Sequence, residues 1–152
     1  MDDLAHLLLG YALWRAMRII WPRAGKFELA VILLASVLPD LVWVAGWTEY
    51  AQAHTVLPYL VVGALAMFWG RTWLAGLGFC IASSAHIIID AVMHVGTWKP
   101  LAPFSDLSIT ASFNYWDDWR FIAAYWIGAL LILYLVMVTE RAMKNKAPPK
   151  AD

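Results

Sequence analysis

The sequence predicts an all-α, polytopic membrane helix bundle, because its composition is strongly apolar and its apolar residues fall into long separate segments. Of the 152 residues, 62% are hydrophobic and only 14% are charged, whereas soluble domains carry about 25% charged residues. The formal net charge is zero, so no basic surface argues for a nucleic-acid partner. The expected partner is the lipid bilayer.

Five apolar segments predict five membrane-spanning helices, since a spanning helix needs about 20 mainly apolar residues. A tight turn between the third and fourth segments predicts that these two form an antiparallel helical hairpin. Residues 1–143 are assigned to a single transmembrane domain, and the polar residues 144–152 are expected to form a disordered tail. The five segments cover residues 4–20, 27–47, 55–69, 73–95 and 120–139.

The basic residues predict the orientation of the bundle, because cytoplasmic loops are enriched in Lys and Arg. Nine of the eleven basic residues lie near the first turn, in the third turn or after the last helix. With five spans, this places the N-terminus outside and the C-terminus in the cytoplasm.

The longest connection, residues 96–119, is rich in aromatic side chains and in Pro. Such a segment is typical of an interfacial aromatic belt, or of a lid over a lipid-like substrate. Asn114, Asp117 and Asp118, just before the fifth helix, are expected to cap that helix and to interact with its dipole.

Within the fourth apolar segment, three ionisable residues follow one another at intervals of four. His86, Asp90 and His94 share one face of a helix, because each step of four residues turns by only about 40°. An ionisable side chain near the middle of a membrane helix costs about 2.5–3.5 kcal/mol and usually faces a partner, a cavity or an ion. A metal ion or a proton-transfer site is therefore the leading hypothesis.

The predicted topology brings further groups of the same chemical type to the outer half of the bundle. His6 begins the first helix, Asp40 lies near the outer end of the second, and His54 opens the third. Imidazole and carboxylate ligands suit zinc and other first-row divalent ions. The predicted metal ligands, with zinc as the expected cofactor, are a subset of His6, Asp40, His54, His86 and Asp90. His94 lies nearer the water and is expected outside the ligand set.

A divalent metal with three protein ligands and one open position activates water for hydrolysis. Asp40 and Asp90 are the candidate catalytic carboxylates, and Asp40 is preferred as the general base if it is not a ligand. Two alternatives use the same residues. The protein could be a non-enzymatic metal-binding or transport protein, or His86 and Asp90 could form only a buried pair that tightens helix packing.

Several short motifs resemble a known family. They are an N-terminal His, Leu38-Pro39-Asp40 at a helix end, His54-Thr55 opening the next helix, the segment from His86 to Asp90, and Gly96 followed by Leu101-Ala102-Pro103-Phe104. In order and spacing they resemble the YdjM-like, predicted membrane-bound metal-dependent hydrolases over about two thirds of the chain.

The resemblance implies a multi-pass protein of the bacterial or archaeal inner membrane, with His6, Asp40, His54, His86 and Asp90 around a divalent metal. It also implies hydrolysis. Our own hypothesis for the substrate is an ester or phosphoester of a lipid or lipid-linked molecule at the outer membrane face. This chain departs from the family pattern in two places. Val42 stands where a second Asp is common in the family, which favours one metal ion over two. The segment Glu49–Thr55 lacks the family's Arg, which could have bound a phosphate group.

Overall fold

The computed structural model describes residues 2–69, 73–112 and 117–146. These residues form α-helices and one small sheet, so the prediction of an all-α membrane bundle is confirmed. The assignment of residues 1–143 to one domain and the orientation of the termini stay predictions. The helices are α1 (Asp2–Ile20), α2 (Lys26–Ala35), α3 (Leu38–Val44), α4 (Tyr50–Ala53), α5 (Val56–Phe68), α6 (Trp73–Met93) and α7 (Trp119–Lys146).

Three described helical segments are long and apolar enough to cross a membrane: Tyr50–Phe68, Trp73–Met93 and Trp119–Asn145. The pair α2 and α3 adds a fourth span if the two count as one broken helix, bent by 52°. The sequence predicts five spans, and the fifth would be α1, which is not among the candidate spans of the described residues. This helix has 19 residues, but it carries two Asp and two Arg, which lower its apolar character.

The predicted second helix, residues 27–47, is broken in the structure. Helix α2 ends at Ala35 and α3 begins at Leu38. Pro39 lies in the first turn of α3, where its missing N–H costs least. A continuous helix would have required that N–H to bond to the carbonyl of Ala35, so the proline accounts for the break.

Helix α6 is the centre of the bundle and packs against α1, α2, α3, α5 and both strands. Its contact with α5, the predicted hairpin, is very close. A Cβ added to Gly76 would lie 2.5 Å from the carbonyl oxygen of Gly63, so glycine is required for the two backbones to approach. Helix α7 packs mainly on α1, and most of its apolar side chains are exposed, as expected for a lipid-facing helix.

The predicted fifth helix extends further than expected, because α7 runs to Lys146. Residues 144–146, predicted as part of a disordered tail, are therefore helical, and residues 147–152 lie outside the described residues. At the other end, Asp118 caps the helix: its Oδ1 accepts the backbone N–H of Arg120 at 2.9 Å. Hydrogen bonds from the Arg120 side chain and backbone lower the pKa of Asp118 to about 2. The predicted cap Asn114 lies outside the described residues.

The long connection contains two short antiparallel strands, β1 (Gly96–Trp98) and β2 (Ile109–Ala111), with Thr97 opposite Thr110. Gly96 has φ of +143°, a conformation that side chains strongly disfavour. The carbonyl of Pro100 accepts the N–H of Val56 at 2.7 Å. This bond holds the connection over the start of α5, next to the candidate site.

Candidate metal centre

Four predicted site residues converge from two helices and the end of a third. Asp40 lies in α3, His54 directly follows α4, and His86 and Asp90 lie one turn apart in α6. One ligand atom from each of the four lies within 4.8 Å of all the others. We call these residues the four-residue cluster. His54, His86 and Asp90 are buried, and Asp40 is partly exposed.

The break between α2 and α3 positions two parts of this site. It turns α3 so that Asp40 faces the cluster, and it leaves Ser36 at the end of α2. The carbonyl of Ser36 accepts a hydrogen bond from Nδ1 of His86 at 2.7 Å. Irregular backbone at membrane depth is tolerated where it is buried in protein and its polar groups find partners, as happens here.

His54 is held in a similar way by the short helix before it. Its Nδ1 donates to the carbonyl of Tyr50 at 2.8 Å, and the Tyr50 ring stacks on its ring with centroids 3.9 Å apart. From the long connection, the buried Trp98 packs against both rings, at 5.0 Å from Tyr50 and 5.8 Å from His54. The imidazole of His54 is therefore fixed on several sides.

These contacts determine which nitrogen of each ring carries the proton. A carbonyl oxygen can only accept, so Nδ1 of His54 and of His86 must be protonated, and in the neutral ring the lone pair is then on Nε2. Both Nε2 atoms are buried and have no hydrogen-bond partner among the described residues. Buried polar atoms are normally satisfied, and metal-binding His rings usually donate their other nitrogen in this way.

The spacing of the donor atoms also fits a metal. Nε2 of His54 lies 3.2 Å from Asp90 Oδ2 and 3.3 Å from Asp40 Oδ1. Nε2 of His86 lies 3.3 Å from Asp90 Oδ2 and 3.7 Å from Asp40 Oδ2. Ligand atoms about 2.0–2.2 Å from a zinc ion at tetrahedral angles are about 3.3–3.6 Å apart. The cluster could therefore hold a divalent cation.

Asp90 is the most highly connected member of the cluster. Its Oδ1 lies 3.1 Å from Nε2 of His6, and its Oδ2 accepts the hydroxyl of Tyr50 at 3.2 Å. Nδ1 of His6 lies 3.5 Å from the hydroxyl of Tyr125 in α7. His6 thus lies beside the cluster, where it orients Asp90 and links it to α1 and α7.

The structure brings together all five residues that the sequence predicts as ligands, and their roles as ligands or catalysts stay predictions. His94 lies at the edge, with Nε2 3.9 Å from Asp90 Oδ1, in agreement with its expected outer position. Sequence reasoning missed Tyr50 and Tyr125. Tyr50 could have been found, because it precedes His54 by four residues and so shares its helix face. Tyr125 carries no such signal.

The comparisons with known proteins agree with this description. A family model described as YdjM inner membrane protein matches residues 1–147. Neither the curated proteins nor the solved structures contain a significant match. The family match, together with the three candidate spans, supports a multi-pass location in the inner membrane. The chain belongs to the YdjM inner membrane protein family.

Proposed function

We propose that this protein is a metal-dependent hydrolase that cleaves an ester or phosphoester bond of a lipid or lipid-linked substrate at the outer face of the membrane. One observation carries the proposal. Two buried imidazole nitrogens, on His54 and His86, face two carboxylates without a hydrogen-bond partner among the described residues. This is the arrangement in which a divalent cation would satisfy all four groups at once.

His54, His86 and Asp90 are the proposed ligands. Each is buried, and each is held by a further contact that fixes its orientation: a backbone carbonyl for the two His, and His6 with Tyr50 for Asp90. Two imidazoles and one carboxylate form a ligand set found in catalytic zinc sites. Zinc is therefore the first metal to test.

Asp40 is the proposed general base. Its side chain is 20% exposed, against 5% for Asp90, so it can exchange a proton with the exterior while Asp90 is enclosed. A bound divalent cation would supply Lewis acidity that activates water at neutral pH. One oxygen of the Asp40 carboxylate would take the proton released when water attacks.

The test compares wild type with D90A and D40N after purification in detergent. Wild type is expected to contain about one divalent ion per chain and to cleave a member of a panel of carboxyl-ester and phosphoester lipids. D90A should lose both metal and turnover. D40N should keep the metal, because Asp40 is not one of the proposed ligands, and lose turnover, because an amide accepts no proton at neutral pH.

The outcomes separate the competing functions. A metal-free wild type would contradict the proposal and the metal-carrier alternative together. A metal-loaded wild type that cleaves no lipid in the panel would favour the carrier. The proposed outer location has its own check, because a reporter domain fused after Asp152 should lie in the cytoplasm. A periplasmic reporter would place the site at the inner face.

A further inference from the structure

A cavity of about 320 Å³ opens next to the four-residue cluster, between α1, α6 and α7. Its volume is within the range of small-molecule sites, about 300–1,000 Å³. Among the residues that line it, the only polar side chains are those of His6, Ser36 and His86, and the others are aliphatic or Gly. The cavity therefore has an almost wholly apolar wall and borders directly on two residues of the candidate metal centre.

The cavity is elongated along the helix axes. On α1 its wall includes His6 and Ala16, which are ten residues and so about 15 Å apart. On α6 it runs from Ile89 back to Ile81, about 12 Å. Both directions lead from the depth of the metal centre towards the opposite side of the membrane. This shape fits an extended chain better than a compact ring.

The mouth of the cavity faces lipid. Ile81 in α6 and Ile132 in α7 line it and are 41% and 49% exposed, and both lie within candidate membrane spans. Ala82 and Ala85 form the wall between them and His86, where their small side chains leave the space open. A molecule enters such a mouth from the bilayer, with its apolar part in contact with the wall.

We infer that this cavity accommodates one hydrocarbon chain of the substrate, with the polar head at His6 and His86. The inference rests on the proposed function and narrows its substrate to an amphiphile with an extended aliphatic chain that enters sideways between α6 and α7. Three features support this occupant over a water-soluble one: the aliphatic wall, the opening to lipid, and the continuity of the cavity with the metal centre. A free sugar or nucleotide would leave its hydroxyl or phosphate groups without partners along this wall.

The test uses full-length protein in phosphatidylglycerol and phosphatidylethanolamine vesicles that contain a fatty-acyl phospholipid with a photoreactive diazirine at the chain end. Wild type is expected to cross-link to residues on the cavity-facing side of α1 and α6, as well as to outward-facing residues of α2 and α5 that contact bulk lipid. A85F fills the mouth and should abolish the cavity cross-links while leaving those on α2 and α5. A30F adds the same ring at an exposed position of α2 that does not line the cavity, and it should leave the cavity cross-links unchanged.

A second variant tests the same cavity independently, in case A85F misfolds. A16L fills the far end of the cavity and should abolish cross-linking from a chain-end diazirine, but not from a diazirine placed near the head group. Equal cavity cross-linking in wild type, A85F and A16L would overturn the inference. The readout needs neither metal nor turnover, so failure of the proposed function leaves it interpretable. If turnover is found, A85F should raise KM for long-chain substrates and leave short-chain substrates unaffected.

Discussion

Two groups of ionisable residues lie among the helices of this protein, at opposite ends of α1. One is the four-residue cluster beside His6. The other, which we call the ion-pair cluster, consists of Arg15 in α1 with Glu140 and Lys144 in α7. Nine residues separate His6 from Arg15 along α1, about 14 Å. Glu140 is buried, with only 4% of its surface exposed. A buried carboxylate therefore lies near each end of α1.

The two groups differ in how well their polar atoms are satisfied. Glu140 Oε2 accepts a hydrogen bond from Nε of Arg15 at 2.6 Å, and its Oε1 accepts one from Lys144 at 2.8 Å. Arg15 also donates to the hydroxyl of Tyr11 at 3.0 Å. The four-residue cluster holds two carboxylates that form no ion pair with a Lys or Arg of the described residues, and it leaves two imidazole nitrogens without a hydrogen-bond partner.

This difference teaches that burial of charge alone does not identify a binding site. The ion-pair cluster is complete as it stands and fastens α7 to α1, which is a structural task. In the four-residue cluster, a divalent cation could bind the two orphaned nitrogens together with the carboxylates. The comparison predicts that changes in one group alter metal content, whereas changes in the other alter stability.

The largest expected effect is on metal content. H86A removes one of the two orphaned nitrogens and should lower zinc affinity by at least about a hundredfold, because loss of even an outer contact to a ligand costs about 10–100-fold. Zinc per chain, measured by mass spectrometry after dialysis against a weak chelator, checks this. E140Q is the matched control at the other end and should keep the metal of wild type. Equal zinc loss in both variants would erase the distinction between the two groups.

The second effect is on stability. E140A leaves Arg15, which is 19% exposed, without its main partner. Because Arg15 keeps contact with solvent, the loss should lie between the values for exposed and for buried pairs, at about 1–2 kcal/mol less free energy of unfolding, with metal content unchanged. Reversible denaturant unfolding in detergent micelles measures it. The double variant R15M/E140M should recover most of the loss, and failure to recover would mean that Glu140 acts through other contacts.

The sequence predicted the convergence of the site better than the details of the helices. Apolar length located α1, α5 and α6 to within a few residues. Apolar length alone did not locate the break before Pro39, because it reads residues 27–47 as one continuous segment, although the proline is itself a local signal. The extension of α7 to Lys146 was not predicted, because it depends on tertiary partners. The break exposes the carbonyl that accepts the hydrogen bond from His86. Near the end of α7, Glu140 accepts hydrogen bonds from Arg15 and Lys144.

The convergence of these residues followed from the predicted topology, in which one end of each of four helices carries a group of the right chemical type. Two features had no sequence signal. The strands β1 and β2 have only three residues each, too few for a recognisable alternation. The cavity beside His86 is a property of how α1, α6 and α7 pack together, and small side chains such as Ala82 and Ala85 are equally typical of close helix contacts.

A pair of identical substitutions gives a smaller effect that separates the two groups. Y50F removes the hydroxyl that donates to Asp90 and keeps the ring that stacks on His54. Zinc affinity should fall about tenfold, which is the lower end of the range for loss of a contact that orients a metal ligand. Y11F removes the hydroxyl that accepts from Arg15 and should lower the free energy of unfolding by about 1 kcal/mol. Zinc titration and unfolding of both variants check the pair. Loss of affinity in Y11F would contradict the separation.

The smallest expected effect belongs to Ser36, which contacts the site through its backbone. Its carbonyl accepts the bond that orients His86, while its hydroxyl donates to the carbonyl of Ile32 at 2.8 Å. S36A keeps the first bond and loses the second, so zinc affinity should stay within about twofold of wild type and the free energy of unfolding should fall by about 1 kcal/mol or less. A large loss of zinc in S36A would mean that the hydroxyl, and with it the end of α2, holds His86 in place. The backbone carbonyl would then be insufficient to fix the proton on Nδ1, and the case for a lone pair on Nε2 would weaken accordingly.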